Sequence, residues 1–161
     1  MLTKIIYAVL ALLALAGLGL FVSLSRGLRR RRSKLELDQR RLGFMLERES
    51  LQESYFNEAA ASGKPRGLDW ANCDFEPGVT FARDRNNGQL RALVGVTIAF
   101  EATEGGDMED VEAVGNLRAA TAVFIHDGQV WSTAGRTIFN LDPVEAISHF
   151  GHELESLDDL S

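Results

Sequence analysis

Residues 5–24 carry no charged side chain, and this run restricts what the chain can fold into more than any other feature. A helix needs about 20 apolar residues, at about 1.5 Å each, to cross the ~30 Å hydrocarbon layer of a bilayer. The run consists mainly of Leu, Ala, Val and Ile, and it lacks the polar face of a helix that covers a soluble core. The sequence therefore predicts a transmembrane anchor over residues 1–25.

A cleaved secretory signal is the alternative interpretation of the same segment. The apolar region of such a signal is about 7–15 residues long and ends at a small-x-small cleavage site. Here the apolar run is longer, and the small residues Ala14 and Ala16 lie in its middle rather than at its end. The pattern therefore favours an uncleaved signal-anchor helix over an exported domain.

Basic residues follow the run at once and predict its direction. Only Lys4 and the terminal amine carry positive charge on the other side. The positive-inside rule therefore places the C-terminal part of the chain in the cytoplasm. Near anionic headgroups a basic side chain contributes about 1 kcal/mol to membrane binding. We expect a single-pass protein of the cell membrane, whose contacts with anionic lipids are Arg26, Arg29, Arg30, Arg31, Arg32 and Lys34.

Charge divides the chain into two parts of opposite sign. Residues 1–48 hold 10 basic and 3 acidic side chains (+7), and residues 49–161 hold 7 basic and 20 acidic ones (−13), which gives the net charge of −6. An acidic domain is repelled by nucleic acid, so direct binding to nucleic acid is not expected. Cys73 is the only cysteine, which rules out an intramolecular disulfide and fits a reducing compartment.

Residues 33–62 are rich in good helix formers and free of proline, and Gly63 and Pro65 are stop signals at their end. They predict a helical stem within a juxtamembrane segment, residues 26–63. Projected at 100° per residue, the apolar side chains form two stripes on opposite sides. One stripe holds Leu35, Leu42, Met45, Leu46 and Phe56, and the other holds Leu37, Phe44, Leu51 and Tyr55. A plain amphipathic connector is the preferred interpretation, and a stem that dimerises through one stripe is the alternative.

Beyond the stem, the apolar pattern changes to a period of two and predicts a globular domain over residues 64–161. Residues 89–101 alternate as in a long, half-buried strand. Two-residue turns at Asn87-Gly88 and at Asp127-Gly128 each predict a hairpin. The first turn would place Phe81 opposite Val94, Val79 opposite Val96, and Asp84 opposite Arg91 as a cross-strand ion pair. The second turn would place Phe124 opposite Trp131 and Ile125 opposite Val130. Residues 136–141 predict a further strand.

Asp142, Pro143 and Glu145 have the spacing of a capping box with proline at the first helical position, so they predict a C-terminal helix. Its apolar stripe would be Ile147, Phe150, Leu154 and Leu157. The fold class predicted for the domain is α+β: a small antiparallel sheet of about five strands, with meander-like hairpins, covered by this helix.

Several side chains could carry chemistry, but none stands in a recognised catalytic, metal or cofactor motif. His149 and His152 have a spacing that can hold a metal, but the third ligand is unidentified. Arg118 and Arg136, with Trp70 and Trp131, could line a groove for an anionic ligand. The acidic segment from Glu101 to Glu112 is most simply a solvated loop. A weak divalent-cation site and a docking surface for a basic partner are the alternatives. The candidate interaction loop consists of Glu104, Asp107, Glu109, Asp110 and Glu112.

The function expected from these patterns is a protein-interaction or self-association module on a membrane anchor, with a protein partner or a homodimer and no cofactor. The alternative is a membrane-tethered enzyme or ligand-binding domain with an unidentified site. An enzyme is the less favoured of the two, because a well-patterned domain carries no recognised catalytic constellation.

Overall fold

A computed structural model of the chain describes residues 2–62, 68–104 and 117–157, with side chains from residue 31 onward. It forms two compact units, Met1–Leu42 and Gly43–Ser161. The first unit is helical, and the second joins the end of the same helix to an antiparallel sheet. The elements are α1 (Leu2–Ser62), β1 (Leu68–Phe75), β2 (Thr80–Asp84), β3 (Leu90–Ala102), β4 (Arg118–His126), β5 (Trp131–Ser132), β6 (Thr137–Phe139), α2 (Pro143–His149) and β7 (Leu154–Ser156).

Helix α1 confirms the predicted stem helix and ends at Ser62, directly before the glycine and proline stop signals. Among the helical residues whose side chains the structure describes, no stretch is long and apolar enough to cross a bilayer. Residues 5–24, on which the prediction of an anchor depends, lie outside that part of the chain.

Within the described ranges the sheet has seven strands, is open, and is organised around β3. On one side, β2 pairs with the first half of β3 and β1 pairs with the second half. On the other side, β4 pairs along most of β3 and is itself flanked by β5 and β6. β7 extends the sheet beyond β2. The fold is therefore α+β, as predicted, with more strands than the five expected.

Both faces of the sheet are packed. On one face Leu93 and Val123 form a core with Ala146 and Ile147 of α2. The other face carries the alternate residues of β3, from Leu90 to Phe100, most of which are buried. The segment of α1 from Gly43 to Ser62 covers that face, where its side chains Phe44 and Tyr55 contact aromatic rings of the strands.

The hairpin between β2 and β3 is two residues out of the predicted register. Phe81 lies opposite Ala92, not Val94, and Ala82 lies opposite Arg91. Val96, predicted to face Val79, instead pairs with Phe75 of β1. A two-residue type I′ turn needs positive φ at both turn positions, and here only Gly88 has it (φ 73°). The wider loop is stabilised by the Asp84 carboxylate, which accepts the Asn86 N–H at 2.9 Å.

The shift by two keeps every side chain on its predicted face, since side chains alternate with a period of two. The predicted ion pair between Asp84 and Arg91 therefore still forms, on a diagonal, with an N–O distance of 2.5 Å and both side chains nearly buried. Desolvation opposes ionisation of Asp84. The hydrogen bonds from Arg91 and from the Asn86 backbone outweigh it and lower the pKa of this carboxyl.

The second hairpin differs from its prediction in the same way. His126, rather than Phe124, lies opposite Trp131, and Ile125 lies opposite Ser132 rather than Val130. The Asp127 carboxylate accepts the N–H groups of Gln129 and Val130, which closes a loop longer than two residues. Those backbone hydrogen bonds also lower the pKa of Asp127.

The start of the C-terminal helix is confirmed, and its predicted length is wrong. The Asp142 carboxylate accepts the Val144 and Glu145 N–H groups at 2.8 and 2.9 Å, which completes the capping box with the Glu145 side chain. α2 nevertheless ends at His149, and the segment beginning at Leu154 is β7. The open edge of β2 offers this segment backbone hydrogen bonds, which a longer helix would leave unused.

Candidate interaction surfaces

Helix α1 is held on the sheet by edge-to-face contacts between aromatic rings. The Phe44 ring centroid lies 5.3 Å from that of Phe124 and 5.0 Å from that of Trp131. About three turns further along the helix, Tyr55 lies 5.6 Å from Phe75 and 6.3 Å from Trp70. Such pairs contribute about 0.5–1.5 kcal/mol each beyond the area that they bury. This end of α1 is therefore an integral part of the domain.

Tyr55 adds a hydrogen-bonded chain to this contact. Its hydroxyl lies 2.6 Å from Thr137 Oγ1, and Thr137 Oγ1 lies 3.1 Å from the carbonyl oxygen of Gly135. Since the threonine donates its single proton to that carbonyl, Tyr55 is the donor in the first bond. Desolvation by burial raises the pKa of Tyr55 to about 12, so the phenol is neutral at physiological pH.

Arg48 ties α1 to the connection between β1 and β2. Its guanidinium donates to the carbonyl oxygen of Pro77 at 2.6 Å and to that of Glu76. A planar guanidinium can hold two carbonyl groups at once, which a lysine ammonium does less well. The sequence pattern gave no sign of this contact, because Arg48 reads as one more solvated charge on the helix.

α1 also carries large apolar side chains that are exposed, each within its own unit. Leu35 is 63 % exposed and Leu42 is 60 % exposed, while Met45 and Leu46 are 47 % and 79 % exposed in their own unit. These four residues, which we call the outer face, belong to the first of the two stripes predicted from the sequence. The members of the second stripe that lie in the domain, Phe44, Leu51 and Tyr55, are buried.

The predicted membrane contacts are only partly within the described side chains. Arg31, Arg32 and Lys34 are exposed, and the side chains of Arg26, Arg29 and Arg30 lie outside the described part. Of the candidate interaction loop, Glu104 is exposed at the end of β3, and Asp107, Glu109, Asp110 and Glu112 are outside the described residues. Both assignments therefore stay predictions.

The histidines do not converge. His149 contacts Phe150 edge to face at the end of α2, and His152 is an exposed side chain whose Nε2 lies 3.4 Å from the Glu153 carboxylate. Across the described ranges 2–62, 68–104 and 117–157, no three His, Cys, Asp or Glu side chains are placed to hold a metal. His126 is buried against Trp131, and its Nδ1 accepts the Gly128 N–H at 3.0 Å.

The groove suggested for an anionic ligand is not assembled. Arg136 lies over the Phe150 ring, 5.6 Å from its centroid, on the α2 side of the sheet. Trp131 instead contacts Phe44 on the α1 side. Cys73 is half-buried, and desolvation, together with the neighbouring Asp74 carboxylate, raises the pKa of its thiol to about 12. A thiol held so firmly protonated is a poor nucleophile.

Comparison of the chain with protein-family models, with curated proteins and with solved structures finds no match. The outer face of α1 is therefore the feature of the described structure on which a functional proposal can be built.

Proposed function

We propose that the chain is a single-pass membrane protein whose acidic α+β domain faces the cytoplasm and acts as a protein-interaction module. The uncharged run at residues 5–24 supports a membrane-spanning helix, followed by a juxtamembrane helix. The basic side chains that follow support the cytoplasmic orientation of the domain. The strongly acidic residues 49–161 would then be repelled by anionic headgroups, which keeps the domain away from the lipid and open to a partner.

The observation that carries the proposal is the outer face of α1. The rings of Phe44 and Tyr55 are buried and hold α1 on the sheet, so this contact does not explain why Met45 and Leu46 are apolar and exposed. Single exposed apolar residues are ordinary, but a row of them along one helix face marks a surface that binds another protein. An amphipathic helix presents such a row as anchors at positions i, i+3, i+4 and i+7.

Cross-linking in native membranes tests the interaction. We expect the full chain to yield a species heavier than the monomer, and the substitution Leu46→Gln to reduce the yield of that species severalfold. Val144→Gln is the matched control, because Val144 is equally an exposed apolar residue but lies on α2. A chain that cross-links only as a monomer, or that loses the heavier species equally in both variants, would refute an interaction module on the outer face.

A second experiment tests the orientation. Cys73 is a poor probe because it is half-buried and protonated, so the probe is Asn87→Cys, in an exposed turn, with Cys73→Ser in the same chain. We expect a membrane-impermeant thiol reagent to label Asn87→Cys only after the membrane is permeabilised. Labelling in intact cells would place the domain outside and would contradict the orientation given by the basic run.

A further inference from the structure

Four residues of α1 have the spacing of a coiled-coil seam. Leu35, Gln39, Leu42 and Leu46 follow one another at intervals of four, three and four residues, which corresponds to heptad positions d, a, d and a. All four side chains are exposed, each in its own unit. We propose that this seam binds the same seam of a second copy of the chain, in a parallel two-stranded coiled coil. The proposal rests on the interaction function proposed above and names its partner.

The packing of the domain leaves Leu46 of this seam exposed. Phe44 and Leu51 are seven residues apart, and both are buried against the sheet. In the heptad that the seam sets, both occupy position f. At 100° per residue, position f points away from the line between positions a and d. Within Gly43–Ser161, Leu46 at position a therefore lies away from the side of α1 that contacts the sheet.

Charge complementarity favours a parallel arrangement. In the heptad set by the seam, Arg31 occupies position g and Glu36 occupies the following position e, and both are exposed. In a parallel pair, position g of one helix lies beside the next position e of the other, so that two Arg31–Glu36 pairs form across the interface. An antiparallel pair places g beside g and e beside e, which loses both pairs. Gln39, a polar residue at position a, favours an in-register pairing with its own copy.

The seam also has a defined end. The next two positions d and a are Glu49 and Glu53, both exposed, and a second copy would bring like charges together there. Pairing should therefore stop after Leu46. A seam this short is weak for free chains in solution. Two copies anchored in one bilayer share an orientation and a high effective concentration, which makes a weak seam sufficient.

Disulfide trapping of the full chain in membranes tests this pairing, with Cys73→Ser in every variant. We expect Leu35→Cys and Leu42→Cys to form disulfide-linked dimers at least about tenfold faster than Ser33→Cys and Glu47→Cys, because a disulfide needs Cα atoms within about 7 Å. The two control positions lie at position b of the same helix and report random collision. Equal rates at seam and control positions would overturn the proposal.

Two further experiments determine the orientation of the paired helices and distinguish the coiled coil from the interaction module proposed above. Glu36→Arg should slow trapping at Leu42→Cys severalfold, and Arg31→Glu added to it should restore the rate, which a merely structural role would not do. Trapping between Leu35→Cys and Leu46→Cys chains, without trapping between two Leu35→Cys chains, would show an antiparallel pair and overturn the parallel one. If cross-linking still gives a heavier species that contains a different protein, the proposal of a second copy as partner is wrong, and the proposal of an interaction module is retained. If no heavier species forms, both proposals fail.

Discussion

Replacing Gly135 by alanine tests whether α1 presses against the sheet as closely as the structure shows. Gly135 lies in the loop between β5 and β6 with φ 69°, a conformation that L side chains rarely adopt. A β-carbon built there would lie 2.7 Å from the Ala59 Cα and from the Glu58 carbonyl carbon. Both are backbone atoms of α1, so no side-chain rotation can relieve the contact.

The expected destabilisation has two parts. A left-handed backbone costs a non-glycine residue about 1–2 kcal/mol. Forcing extra volume into a packed contact costs about 1–3 kcal/mol more. Gly88→Ala is the matched control, since Gly88 has nearly the same φ, 73°, and open space around its β-carbon. Gly88→Ala should therefore show the first part alone, and Gly135→Ala should lose about 2–5 kcal/mol in all.

Denaturant unfolding of the full chain in detergent, followed by tryptophan fluorescence, measures the difference. Trp70 and Trp131 are both buried on the α1 side, so their emission reports the loss of the contact that the substitution strains. The slope of free energy against denaturant should be unchanged while the midpoint falls. If both alanine variants lowered the free energy of unfolding equally, α1 would not lie against this loop, and the account of the domain would be wrong.

Three smaller changes test other contacts. Tyr55→Phe should lower the free energy of unfolding by about 1 kcal/mol, because Thr137 keeps its bond to Gly135 and only one buried hydrogen bond is lost. An unchanged free energy of unfolding would mean that the phenol is not hydrogen-bonded. Asp84→Asn should cost about 2 kcal/mol near pH 7 through loss of a charge-assisted bond to Arg91. Since folding lowers the pKa of Asp84, that contribution is complete above the unfolded pKa of about 3.9 and is lost as the pH falls below it. A constant difference between wild type and Asp84→Asn from pH 7 to pH 2 would contradict the ion pair. Because folding raises the pKa of Cys73, native protein should react with a thiol reagent at pH 8 far more slowly than unfolded protein. The stability that the protonated thiol contributes should be lost from about pH 8.5 upward, as the unfolded chain begins to ionise. Equal reaction rates of native and unfolded protein would show an exposed thiol.

Local signals in the sequence were sufficient where the deciding interactions are local. The capping box at Asp142 and the positions of both hairpins follow from residues within four positions of one another, and the structure has them. The registers were wrong because Asp and Asn side chains bond to nearby backbone N–H groups and stabilise loops longer than two residues. A shift by two still preserves the faces, so the predicted pairing of Asp84 with Arg91 was confirmed in spite of it.

The two missed strands depend on interactions that the local pattern does not show. β1 has an irregular register between Trp70 and Asn72, which interrupts its alternation of apolar and polar residues. β7 is three residues long and is a strand only because the edge of β2 is available to it. Its residue Leu154 fits a helical stripe equally well, so only the fold as a whole decides between helix and strand.

The same distinction applies to the candidate interaction surface. Periodicity alone showed two apolar stripes on α1 and could not say which one the domain uses. The structure decides it: the rings of Phe44 and Tyr55 pack among Phe75, Phe124 and Trp131, whereas Leu46 is 79 % exposed. Because residues 44 and 51 fix the rotation of the helix on the sheet, Leu46 is held outward rather than left free to turn inward. An apolar residue that the fold itself keeps in water carries a continuing cost, and a second helix that covers it would remove that cost.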